Sequence, residues 1–141
     1  MVMMSLGLKD SLSLKIDEQT YQETPEKWEK KVKEEGLSNK FILISKEPEL
    51  WVFLGEHGDH LILSKNDTAI YCSCKGFRME IEKKSNKGCT HVYALKIAKK
   101  FNKFRDVSAN ISIEELNKII EQIMELDYSS YLRTILIKYS S

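Results

Sequence analysis

Between positions 41 and 74 the apolar residues fall into four short runs: FILIS (41–45), LWVFLG (50–55), LILS (61–64) and AIYCSC (69–74). β-Branched and aromatic side chains dominate them, and the pieces between, KEPE, EHGD and KND, are turn-forming. Runs this short and this regularly spaced predict an antiparallel meander of about three to four strands. Upstream, LSLKI (12–16) alternates like a short edge strand. TPEKWEKKVKEEGL then has the marks of a helix. Thr24 can cap it, Pro25 suits its first turn, and Gly36 can close it in a left-handed turn, with Leu37 folding back on Val32. Its apolar stripe, Trp28 and Val32, is narrow, so the helix is expected on the surface of the core.

After the strands the period changes. In CTHVYALKIAKKFNKF, His91, Ala94, Leu95 and Ala98 share one helical face, while Lys96, Lys99, Lys100 and Lys103 lie largely elsewhere. A further helix starts at Ser112, which with Glu115 matches a capping box, flanked by Ile111 and Leu116 as a hydrophobic staple. Its apolar face is broad: Leu116, Ile119, Ile120, Ile123 and Met124. YSSYLRTILIKY at the end reads as one more helix. The expected class is α+β.

Composition narrows this little: 42% apolar and 30% charged residues describe a soluble globular chain. No apolar run approaches the roughly 18 residues of a membrane span, so no membrane partner is expected. MVMMSLGLKDSLSL lacks a basic start and a small-residue cleavage site, which places the chain inside a cell, cytoplasmic or nuclear, where thiols stay reduced. Charge changes the picture more. Residues 71–105 hold ten Lys and Arg against Glu80 and Glu82, a local +8 within a chain of net +1. Such a segment suits an anionic partner, nucleic acid first, and equally suits a solvated lysine-rich face.

The candidate chemistry lies inside that basic segment. Cys72, Cys74 and Cys89 are the chain's three cysteines, within 18 positions, and His91 follows two residues later. An odd, crowded set argues against a disulfide framework. Cys72 and Cys74, two apart, would project from one face of a regular strand, and Cys89 and His91 open a helix. Together they make a Cys3His set, the closed four-coordinate arrangement of structural zinc. Helix-start amides would also favour the Cys89 thiolate. A Cys-x-Cys redox pair would leave Cys89 and His91 unexplained, and a Cys–His dyad would not need the pair and wants a third orienting group. Unrelated buried cysteines would not gather in one window. Zinc is favoured over iron by the histidine and the intracellular setting, although ligand type alone admits either. His57 and His60, in EHGDH, are read as part of a polar hairpin loop, with a second metal site as the alternative.

Cys-x-Cys, a gap of fourteen residues, then Cys-x-His-x-x-Ala running into a helix after β-strands resembles the SWIM zinc finger. Phe77 stands at the family's aromatic position and Ala94 completes the extension; the resemblance covers about residues 50–100. Gly-Cys-Thr-His stands where Pro-Cys-Lys-His is frequent, which removes one positive charge. The resemblance implies one structural Zn2+ on Cys72, Cys74, Cys89 and His91, Phe77 covering it, and Ala94 giving the helix room to approach the strands. It divides a single compact domain (1–141) into a strand–helix extension (1–40), a zinc module with its strands (41–105) and a helical C-terminal segment (106–141). With no Gly-x4-Gly-Lys-Ser/Thr loop and little room for a second domain, the chain is similar to the small SWIM subunits of Shu-type recombination accessory complexes. That implies a non-enzymatic DNA- or protein-binding factor in DNA repair, with a RecA-like recombinase paralogue and single-stranded or other DNA as partners. The alternative is a protein adaptor that touches no nucleic acid; an enzyme would need an open metal site or exposed thiols. Phosphate contacts are expected from Lys75, Arg78, Lys83, Lys84, Lys87, Lys96, Lys99 and Lys100, and base stacking from Tyr71, Phe77 and Tyr93 unless these are core. Leu116, Ile120 and Ile123 are the candidate surface for a partner or a second copy, unless that stripe is core.

Overall fold

The computed structural model describes residues 24–85 and 87–140, so the strand expected at 12–16 lies outside the described residues. Its centre is a sheet of five strands, β1 (Phe41–Lys46), β2 (Glu49–Leu54), β3 (Asp59–Lys65), β4 (Thr68–Cys72) and β5 (Phe104–Asp106), in the order β4-β3-β2-β1-β5. β1 to β4 form the expected antiparallel meander, and β5 joins β1 in parallel, Phe41 opposite Phe104. The class is α+β.

Both faces of the sheet are covered, which is why the strands read as continuous apolar runs rather than as alternating ones. Phe41, Leu43, Trp51, Phe53 and Ile62 point to one face and meet α1 (Glu29–Gly36) and α3 (Thr90–Lys100). Ile42, Ile44, Leu50, Val52 and Leu61 point to the other and meet α4 (Ile113–Leu126) and α5 (Ser130–Lys138). One further helix, α2 (Lys75–Glu82), follows β4.

α1 departs from expectation at both ends. Pro25 precedes a single 3-10 turn, Glu26–Trp28, before the α-helix begins. Gly36 does not close the helix in a left-handed turn; it is the last helical residue and buried, Leu37 beyond it is largely exposed, and Asn39 takes the positive φ of 63°. What Gly36 supplies is space. A Cβ there would lie 2.7 Å from the Ile97 Cβ and 2.9 Å from the Ala94 carbonyl oxygen, so α1 crosses α3 with its backbone almost touching. Gly36→Ala is therefore expected to cost about 2–3 kcal/mol by overpacking, despite alanine's better helix propensity, and urea unfolding measures it.

On the opposite face α4 starts with the expected capping box: Ser112 Oγ accepts from Glu115 N at 3.1 Å and Ser112 N donates to Glu115 Oε1 at 2.9 Å. The apolar side of α4 is turned onto the sheet. Leu116 and Ile123 are 8% and 1% exposed and Ile120 is half-buried, which corrects their assignment as a partner surface, since the sheet already occupies it. α4 ends at Asp127 in the left-handed region (φ 58°), and α5 is capped by Ser129, whose hydroxyl accepts from Leu132 N at 3.0 Å. Asp59 fixes this corner. Its carboxylate is fully buried and accepts from Ser129 N at 2.8 Å and from Arg133 Nη1, while its amide donates to Asp127 O at 2.8 Å. Among the described residues no helix is long and apolar enough to cross a membrane.

Candidate metal centre

β4 delivers Cys72 at its last position, opposite Ile62 of β3 and fully buried. Ser73 then binds the neighbouring strand twice, its amide to Leu61 O and its hydroxyl from Leu61 N, both at 2.9 Å. The expected strand through Cys74 stops here: Cys74 is the N-cap of α2, its sulfur accepting from Phe77 N at 3.3 Å. Its backbone stays extended (φ −70°, ψ 160°), so both thiols still reach one place. From the other side Cys89, also extended, stands at the N-cap position of α3 without a side-chain capping hydrogen bond and puts His91 in the first helical turn.

The donor atoms of Cys72, Cys74, Cys89 and His91 all lie within 4.8 Å of one another. His91 Nδ1 is 3.8 Å from Cys72 Sγ and 3.7 Å from Cys89 Sγ. A tetrahedral ion with bonds near 2.0–2.3 Å to nitrogen and sulfur sets its donors about 3.5–3.8 Å apart. Donor type, number and spacing therefore fit one four-coordinate metal ion. The electrostatics ask for one as well. Hydrogen bonds from Cys72 and Cys89 hold the Cys74 thiol below its usual range, while contacts with Cys74 and Cys89, and then burial, push Cys72 far above it. Three thiols in this layer share their protons; a cation lets all three ionise.

Three residues that the sequence did not mark as part of the site surround it. The His91 ring lies 4.7 Å from Phe53 and 4.9 Å from His60, centroid to centroid. Burial, then the charge of His91, hold His60 below the ordinary histidine pKa. Glu35 of α1 brings Oε2 to 3.6 Å from His91 Nε2. Only residues 56–58 of EHGDH form the connection, with His57 exposed, whereas Asp59 and His60 open β3 and His60 leans on the centre without joining its donors. Phe77 is half-buried against the core that contains the cysteines, its ring edge-on to Tyr71 at 5.8 Å. Ala94 is fully buried in the core that α3 shares with the strands, and its carbonyl oxygen lies 2.9 Å from where a Cβ on Gly36 of α1 would be.

Of the basic candidates, Lys75, Arg78, Lys83, Lys84, Lys87 and Lys100 are exposed and Lys96 is half-buried. Lys99 belongs to the protein: it pairs with Glu49 at 3.1 Å and Asp67 at 2.9 Å and lies over Trp51, which corrects its assignment to a nucleic-acid surface. Tyr93 is likewise core, its hydroxyl donating to Lys87 O at 2.6 Å and its ring edge-on to Trp28, so it offers no face for a base. No family model, curated protein or solved structure matches the chain.

Proposed function

We propose that the protein is a non-enzymatic accessory factor in which structural zinc holds a short helix and the lysine-rich segment after it in place for nucleic-acid binding. The observation that carries this is the double role of Cys74, a metal donor and the N-cap of α2. α2 displays Lys75 and Arg78 and leads into Lys83, Lys84 and Lys87, all exposed. Four protein donors fill a tetrahedral ion and leave no position for substrate or an activated water. The SWIM-like pattern of the same four residues extends the reading to a recombination accessory role beside a RecA-like ATPase, which a pull-down from native extract examines.

A salt titration of single-stranded DNA binding tests the core of the proposal. Direct binding gives an affinity that falls steeply with salt, and K83E/K84E/K87E flattens the slope of log K against log salt by about 2. Absence of binding at low salt overturns it in favour of a protein adaptor. That second reading has its own support, because Met79 and Ile81 on α2 are 42% and 57% exposed among these cations.

A further inference from the structure

We propose that Glu35 is the positioning residue of the metal centre: it orients His91 with Nδ1 toward the ion and couples metal loading to the seating of α1. This rests on the reading that Cys72, Cys74, Cys89 and His91 hold zinc. His91 Nδ1 faces the thiols at 3.8 and 3.7 Å, so a metal-bound His91 carries its proton on Nε2. Glu35 Oε2 stands 3.6 Å from that nitrogen, a small rotation from hydrogen-bond length, with the two side chains only 14% and 12% exposed. The other oxygen, Glu35 Oε1, is buried and has no hydrogen-bond partner among the described residues.

A carboxylate so placed is unfavourable unless something nearby compensates it. A metal-polarised imidazole N–H does so, and carboxylate–histidine–metal chains of this kind fix ring orientation and raise ligand basicity. Glu35 reaches His91 because the next residue, Gly36, lets α1 press onto α3. A residue more than thirty positions upstream of the first cysteine would then share in metal affinity. A merely structural Glu35 would stabilise the protein whether or not metal is bound. A positioning Glu35 is neutral or destabilising in the metal-free protein and favourable in the loaded one.

The experiment uses the full chain as wild type, Glu35→Gln and Glu35→Ala, titrated with Zn2+ and Co2+ against a chelator, with melting of the metal-free forms alongside. The expected result is a roughly 10–100-fold weaker metal affinity for Glu35→Ala, a smaller loss for the isosteric Glu35→Gln, and metal-free melting temperatures unchanged or raised. Nitrogen-15 spectra of the loaded wild type should show His91 protonated at Nε2 and bound through Nδ1. Equal affinities in all three proteins overturn the proposal, as does an affinity loss matched by an equal loss of metal-free stability. A wild type that binds neither ion overturns the zinc reading itself, a distinguishable failure.

Discussion

Stripping the metal with a chelator, or replacing Cys72 by Ser, should melt the layer built on residues 71–101 and lower the melting temperature by roughly 10–15 °C. An ion held at about 1,000 times its dissociation constant stabilises by about 4 kcal/mol, and each kcal/mol moves a domain of this size by about 3–4 °C. The loss should be uneven. α2 has no buried residue, so without the Cys74 anchor little holds it. α3 buries Val92, Tyr93, Ala94, Leu95, Ile97 and Ala98, so its later turns outlast its first. Protons compete with metal for the three thiolates, so the stabilisation must fade as pH falls. Calorimetry with and without chelator, plus helicity by circular dichroism, provides the measurement. An unchanged melting temperature after complete metal removal would refute a structural role.

The second large effect is expected on the opposite face. Asp59→Ala should lower the unfolding free energy by about 3 kcal/mol, because it strands the donors that a buried carboxylate had satisfied. Ser129 N loses its acceptor at the start of α5, and Arg133 loses its ion partner. Arg133 is 31% exposed and lies over the Tyr128 ring at 4.5 Å, which keeps the effect below that of a fully buried pair. Urea unfolding of Asp59→Ala, Arg133→Met and the double variant measures the coupling. A change under about 1 kcal/mol for Asp59→Ala, the range of surface pairs, would show that the corner does not depend on this carboxylate.

Local signals accounted for much of this architecture. The four strand runs were legible because burial on both faces makes each a dense apolar stretch, and α4 because Ser112 and Glu115 write their cap into four residues. The donor set was legible because its members lie in two close pairs. α2 was missed: KGFRMEIE carries a glycine and no buried side chain, and what starts it is a cysteine sulfur accepting an amide. β5 was missed because its three residues are a strand only through β1 beside them. Glu35, Phe53 and His60 reach the centre from separate elements, and no spacing along the chain ties them to His91. Asp59 looked like one more turn residue in EHGD until the sheet buried it. Gly36 was noticed for the wrong property, backbone freedom instead of absent volume.

The sulfurs of Cys74 and Cys89 bracket fourteen residues and stand within 4.8 Å of each other. For the chain between them, an ion held by both sulfurs would act as a cross-link that closes a loop. Closure entropy grows only logarithmically, about 0.6 kcal/mol for each doubling of length, and α2 within that loop contributes no buried side chain. The stretch between Cys74 and Cys89 would then be a cassette: insertions and exchanges in it would restyle the outward face of the protein while its two ends, and the fold behind them, stay where a bound metal holds them.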